Sequence, residues 1–262
     1  MKINKRDFIL ESIIKSYLSD NTPIGSNELC LKINESIPPS TIRVYFKKLS
    51  DEGAITQIHI SGGRIPTVCA MNEYWKNVLN LEDLLVINDK HALSFLIKTF
   101  GIYCIIFENC RQNLKDVINY RDKFIILDFD KNEIVLRFDN RIYKLLLNLI
   151  GVSLDELEQL CIQIGASELR KKIYELKTSK ILFRDNEFML FDIFKDDKFK
   201  LMLDSNILNF IKDEISMIPN SNEGFMGIKR NIIFEEEQST MICLGSVYND
   251  YDKFFENLKD VA

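Results

Sequence analysis

Arg43, Lys47 and Lys48 fall close together in the run Ser40-Thr41-Ile42-Arg43-Val44-Tyr45-Phe46-Lys47-Lys48-Leu49. At about 100° per residue, a helix over this run turns Ile42, Tyr45, Phe46 and Leu49 to one face. Ser40, Val44, Lys47 and Asp51 share the opposite face, flanked by Arg43 and Lys48. Hydroxyls such as those of Ser40 and Thr41 can bond phosphate oxygens at the N-terminus of such a helix, and Arg43 and Lys47 can reach phosphates or base edges. An ordinary amphipathic helix with a solvated face has the same pattern, so this run alone leaves both readings open. A second run, His59-Ile60-Ser61-Gly62-Gly63-Arg64-Ile65-Pro66-Thr67, joins two glycines to a cation. Backbone N–H groups at Gly62 and Gly63 can approach a phosphate, and Arg64 can enter an adjacent minor groove, supported by His59 and Gly62-Gly63, with Ser61 counted among the DNA-binding residues. The alternative is a plain hairpin turn in which the glycines serve geometry only. The two runs at this spacing favour a DNA-binding surface.

Such side chains need a scaffold, and the N-terminal pattern supplies one. Leu10, Ile13, Ile14, Tyr17 and Leu18 form one helical stripe. Asp20 to Gly25 breaks it, and Ser26 is expected to cap a short second helix with Leu29, Cys30 and Ile33 inward. Asn34 to Pro39 breaks the chain again before the third helix, expected over Ser40 to Glu52, with Gly53 as its C′ residue. Beyond Gly53 the period changes from helical to alternating over Ile55 to Ser61, and Gly62 and Gly63 suit a turn at positive φ. Three helices and a hairpin make a winged helix-turn-helix. Met71, Tyr74, Trp75, Val78 and Leu79 predict a fourth helix leading out of this head.

The remainder reads as an α+β body. Cys104 to Phe107 predicts a buried strand, and Lys123 to Phe138 a hairpin turning at Asp130 to Asn132. Lys144 to Ile150, Leu154 to Ile164 and Glu168 to Leu176 read as helices. Ile181 to Phe191 reads as a hairpin turning at Asp185-Asn186, and Leu201 to Ile215 as a helix. Ile228 to Phe234 and Met241 to Val247 read as strands around a turn at Glu235 to Glu237, before a closing helix over Tyr251 to Val261. The expected domains are a head at 1–76 and a body at 77–262.

Composition narrows the function classes. The chain has 262 residues, 46% hydrophobic, enough for a substantial core. Its longest apolar stretch, Gly101 to Phe107, is too short to span a membrane. The N-terminus runs straight into an amphipathic pattern without an apolar leader, which predicts a cytoplasmic protein. Six cysteines, at 30, 69, 104, 110, 161 and 243, show no C-x-x-C spacing, and His59 and His91 are the only histidines. No metal site is expected; the thiols read as reduced, most of them packed as small hydrophobes. Residues 1–76 hold 10 Lys+Arg against 8 Asp+Glu, whereas 77–262 hold 24 against 31, so the head is the more basic part of a chain of net charge −5. Neighbouring carboxylates, such as Asp128 with Asp130 and Glu235 to Glu237, read as solvated charge at turns. No G-x-S-x-G, P-loop or H-E-x-x-H run is present, so neither an enzyme nor a cofactor is expected.

The N-terminal 75 or so residues resemble the HrcA family of bacterial heat-inducible transcription repressors. The resemblance rests on Pro23-Ile24-Gly25-Ser26, on Pro39-Ser40-Thr41-Ile42-Arg43 with Leu49 and Glu52-Gly53, and on the long block Gln57 to Thr67. Pro38 stands where the family usually has Ser, so Ser40 is expected to cap the third helix. Val44 replaces an Asn, Ile58 a Pro and Ile60 a Thr. In the body, Asn148 to Leu157 is similar to the family's helix-and-glycine segment, and Met241 to Tyr251 to its C-terminal strand, with a Gly-Pro-x-Arg-Met-Asp-Tyr motif eroded to Gly245-Ser-Val-Tyr-Asn-Asp-Tyr251. The resemblance implies a GAF-like sensor domain carrying a trimmed helical dimerisation insert, placed around 140–180. It also implies a homodimer on an inverted-repeat operator of double-stranded DNA upstream of chaperone genes, with the chaperonin keeping the repressor active. Two other readings are a winged-helix module that binds protein and a ligand-responsive regulator.

Overall fold

Ile9, Ile13 and Ile14 repeat at helical spacing, and they are the buried apolar face of α1 (Lys5–Asp20). Asn21, in the left-handed region at φ 51°, ends it by donating its N–H to Tyr17 O at 2.8 Å. The computed structural model describes residues 4–33, 37–59, 62–109, 112–129, 131–177, 180–194, 197–204, 206–218 and 224–260. The chain folds as two compact units, one made of 1–106 with 182–262 and the other of 107–181.

In the first unit, α1 packs on α2 (Ser26–Lys32) and α3 (Pro39–Asp51). Their core holds Ile9, Ile13, Leu29, Ile42, Phe46 and Leu49. The expected cap of α3 is corrected: Pro38 is the N-cap residue and Pro39 opens the helix, which puts Ser40 inside the first turn. Proline suits that place because the first N–H of a helix has no intrahelical partner to lose. Gly53 follows α3 at φ 73°, a left-handed conformation that glycine adopts without a Cβ clash. β1 (Ile55–Thr56) then pairs antiparallel with β2 (Ile65–Pro66), aligning Ile55 with Pro66. This ladder is shorter than the expected alternation, and Ile58 lies exposed beyond it.

From β2 the chain enters α4 (Val68–Val78), capped by the Thr67 hydroxyl, which accepts from Ala70 N. Met71 and Trp75 of α4 are fully buried in one core with Ile14 of α1 and the apolar face of a large sheet. No unit boundary falls at the expected division between 76 and 77. That sheet orders β3 (Leu85–Ile87), β10 (Phe225–Phe234), β11 (Glu237–Ser246), β4 (Tyr103–Glu108) and β8 (Ile181–Asp185), and β9 (Ile215–Met217) also pairs with β10. Helices α5 (Lys90–Phe100), α9 (Met189–Ile193), α10 (Asn206–Phe210) and α11 (Tyr251–Asp260) and a 3-10 turn at Asp197–Leu203 complete the unit. The β10–β11 turn places Glu235 and Glu236 at φ 48° and 71°. The Glu235 N–H donates to Ile87 O at 3.0 Å, and its side chain pairs with Lys90 at 2.7 Å.

Beyond the head, two expected elements differ in this unit. Residues after β8 do not return as a strand: Asn186 sits at φ 62° and the chain coils into α9, burying Leu190 and Ile193. The helix expected over Leu201 to Ile215 is divided among the 3-10 turn, α10 and β9.

The second unit contains an antiparallel sheet of β5 (Leu114–Tyr120), β6 (Phe124–Phe129) and β7 (Glu133–Arg137). Its core adds side chains from α6 (Asn140–Leu147), α7 (Leu154–Ile164) and α8 (Ser167–Lys177). Ser153 and Glu156 form a reciprocal capping box at the start of α7. The helical segment expected around 140–180 therefore lies in a unit that begins at residue 107 and includes a sheet. Asp130 lies outside the described residues. Among the described residues, no helix is long and apolar enough to cross a membrane, and no group of three or more His, Cys, Asp or Glu could hold a metal ion. Cys104, Cys161 and Cys243 are buried, Cys30 is half-buried and Cys69 is exposed; Cys110 lies outside the described residues.

Trp75 donates its indole N–H to Val247 O at 2.7 Å and meets Tyr251 edge-on at 5.5 Å. Trp75→Phe keeps most of the ring packing but removes that donor from a buried site. It should lower unfolding free energy by about 1–3 kcal/mol, read by urea denaturation followed by circular dichroism. An unchanged midpoint and slope would show that this bond does not hold α4 in place.

Candidate nucleic-acid interface

The buried face of α3 decides which of its side chains look outward. With Ile42, Phe46 and Leu49 packed against α1 and α2, Ser40, Arg43, Val44, Lys47 and Lys48 are left exposed. Thr41 is half-buried, its N–H donating to Pro38 O at 2.9 Å. Val44 is 67% exposed, an apolar contact surface on an otherwise polar face.

Arg43 reaches across to α2. Its Nε donates to Ser26 Oγ at 3.1 Å and its Nη2 to Asn27 Oδ1 at 3.3 Å. Both acceptors are neutral, so the guanidinium is oriented without losing its charge. This corrects the expected role of Ser26, since Gly25 is the N-cap residue of α2 and no side chain caps that helix. Ser26 was visible in the sequence as a hydroxyl near a helix start, but its link to Arg43 joins positions far apart in the chain. Asn27 gave no separate signal.

The wing is locked onto the turn between α1 and α2. Arg64 N donates to Ile24 O at 2.8 Å and Ile24 N donates to Arg64 O at 3.0 Å. A Cβ at Gly63 would lie 2.6 Å from backbone atoms of Pro23 and Ile24. Gly63 is thus required by close approach. Neither Gly62 nor Gly63 has positive φ, which corrects the expected turn conformation. Gly62 N donates to His59 O at 2.8 Å, and Gly62 O accepts from Gln57 Nε2 at 3.1 Å and, more weakly, from Arg64 Nη1 at 3.5 Å. Arg64 is half-buried, and its Nε has no partner. Ser61 lies outside the described residues.

Between α3 and the wing lies a cleft of about 460 Å³. Arg43, Lys47 and Arg64 line it together with Ser26, Gly62 and Gly63, and its lining has no carboxylate. Ser40, Thr41, Val44, Lys48 and His59 lie outside this lining. Glu52, at the far end of α3, is taken up by Arg6, whose Nη2 lies 2.7 Å from its Oε2. The cleft therefore concentrates three cations in a concave strip, an arrangement that attracts anions, whereas the Gly62 N–H expected to meet a phosphate is already given to His59 O.

A family model described as the HrcA C-terminal domain matches residues 75–262. The chain belongs to the HrcA family. Two relatives from different strains of Helicobacter pylori, each called a heat-inducible transcription repressor HrcA, are 30% and 29% identical to it. The first alignment covers 98% of this chain and 95% of the relative, the second 98% and 96%. A solved structure titled as a hypothetical protein shares the fold of this HrcA-family chain at 18% identity, with a TM-score of 0.50 over 99% of this chain and 97% of that one. The match to the family model begins at Trp75, the residue that carries the head into the shared core.

The close approach at Gly63 yields a paired test. Gly63→Ala should destabilise the chain by about 1–3 kcal/mol, because the clash is with backbone that cannot swing aside. Gly62→Ala, with its nearest contact at 3.3 Å to His59 O, should cost clearly less. Equal melting temperatures for the two variants would remove the wing-locking role of Gly63.

Proposed function

We propose that this chain is a cytoplasmic transcription repressor that binds an inverted-repeat operator of double-stranded DNA as a homodimer. Residues 1–76 are the winged helix-turn-helix head and 77–262 a GAF-like regulatory and dimerisation body, with the helical segment at 140–180 serving dimerisation. The observation that carries the reading is the carboxylate-free cleft where Arg43, Lys47 and Arg64 converge. The α3 helix enters the major groove, with Arg43 held by Ser26 and Asn27 at its mouth. Lys48, Ser40, Thr41 and Val44 extend that contact along the helix, and Arg64 reaches the neighbouring minor groove from a wing formed with His59, Ser61, Gly62 and Gly63. Family membership supports repression of heat-shock chaperone genes, released on heating, with the chaperonin modulating the active fraction. None of these roles calls for catalysis or a cofactor.

Loss of function on heating needs only a modest shift in population, since native domains are held by about 5–15 kcal/mol. A thermal melt well above growth temperature, with operator binding intact throughout, would sink intrinsic heat sensing and leave the chaperonin as the sensor. The exposed Val44 favours a second reading, a winged helix that docks protein. The cations around it favour DNA.

The deciding measurement is fluorescence anisotropy with a labelled inverted repeat against a scrambled duplex, across a salt series and two temperatures, with and without chaperonin. Selective binding with a steep salt dependence is expected. Equal, weak binding to both duplexes with chaperonin present would reject the repressor reading. Arg64→Ala should weaken operator binding by at least about 1 kcal/mol, near fivefold, through loss of a charge-assisted contact. Lys47→Ala should weaken binding to both duplexes and reduce the salt slope. Unchanged affinity of Arg64→Ala at physiological salt would reject the wing assignment.

A further inference from the structure

β10 has an interrupted edge. Along one side it pairs with β11 over its whole length. On the other side two short strands share it, β9 opposite Met226 to Ile228 and β3 opposite Ile232 to Phe234. Lys229 N still donates to Glu214 O at 2.8 Å, but Arg230 and Asn231 fall between the two partners. A cleft of about 310 Å³ opens at this break.

Alternation along β10 puts Arg230 on the same face as the buried Ile228 and Ile232, and only 3% of its surface is exposed. Its guanidinium lies 5.2 Å from the centre of the Phe255 ring, and Nη2 donates to Asp83 O. Nε and Nη1 are buried without a partner. The Asp83 carboxylate is drawn away to Lys259, at 3.0 Å. Burial lowers the Arg230 pKa from its usual value and the Asp83 charge opposes that effect, yet a guanidinium stays protonated in a protein. A buried cation with unused donors is costly, and such groups are normally matched by an acceptor. The other charged residues of the cleft are Lys212, Lys229, Glu82 and Glu214. Lys229 is half-buried, whereas Lys212, Glu82 and Glu214 are exposed and their charges are screened by solvent.

We propose that this cleft binds a small anion, a carboxylate or phosphate group whose oxygens accept from the unpartnered Arg230 donors, with Lys229 and Lys212 at its mouth. The site belongs to the body and does not depend on the DNA-binding reading, so it is tested without DNA. The full-length chain is titrated separately with inorganic phosphate and with malonate, at ionic strength held constant with sodium chloride, by calorimetry and thermal melting. At least one probe should give saturable heat near one equivalent per chain and raise the melting temperature, and the stronger probe identifies the anion class. Arg230→Met keeps an unbranched stem on Phe255 and removes a buried cation with unsatisfied donors, at the loss of one bond to Asp83 O, so it should fold. It should bind the effective probe about tenfold more weakly or worse. Lys229→Gln, at a less buried position, should weaken binding severalfold, and serves as the test if Arg230→Met does not fold. Absence of saturable binding of either probe to the parent chain would overturn the proposal. So would undiminished binding by folded Arg230→Met, or, failing that variant, by Lys229→Gln.

Discussion

The burial of Trp75 is the constraint on which the first unit depends. This single tryptophan sits near the end of the helix that leaves the wing, and its ring lies in the core that also buries the large sheet. Its N–H is satisfied only if Val247, at the end of β11, stays beneath it. Tyr248 continues the contact, donating to Pro66 O of the wing at 3.1 Å and meeting Tyr17 of α1 edge-on at 5.3 Å. Gly224 allows Val68 to close against the same region, where a Cβ would lie 2.5 Å from Val68 Cγ2. Moving the head away from the sheet would therefore expose a large aromatic ring and strand a buried carbonyl. Both penalties act together. Loosening of the sheet core removes the support of α4 and with it the base of the wing, a direct physical route from body stability to head geometry.

Charge in the head is arranged by removal as much as by addition. The chain carries net −5, so a cationic surface has to be made locally. Arg6 neutralises Glu52 at one end of α3, and Lys32 pairs with Asp20 and Glu28 near α2. Such exposed pairs contribute little stability. Their effect is on the field, because each of these carboxylates is offset by a neighbouring cation. Neutral partners for Arg43 complete the arrangement by fixing direction while leaving charge available to a phosphate.

Where local patterns are strong, the sequence and structure agree. The stripe of α1, the Gly53 stop after α3, the helix from Leu154 to Ile164, and the β10–β11 pair all rest on residues near each other in the chain. The failures share a cause. Ile181 to Phe191 alternates enough to read as a hairpin, but Leu190 and Ile193 gain burial only when the chain coils into α9. β3 has three residues and gains its pairing from Ile232 to Phe234, far along the chain. β5 buries Leu114 and Val117, spaced three apart, and a β-bulge interrupts its register, so period-two reading misses it. The outward placement of Arg43 and Lys47 on α3 was legible from type and spacing, whereas their shared cleft with Arg64 and the bonds from Arg43 to Ser26 and Asn27 were not.

By itself, then, the sequence determined what local sterics and periodicity can decide: which helices form in the head, where they stop, and which face of α3 carries cations. Tertiary structure alone decided that Gly63 packs against Pro23 and Ile24, that Arg43 is held by α2, that Trp75 joins head to sheet, and that two strands leave a gap beside Arg230. Each of these joins residues separated by long stretches of chain. The loop-closure entropy of bringing them together is offset only by the complete set of packed contacts, so no local pattern can encode them.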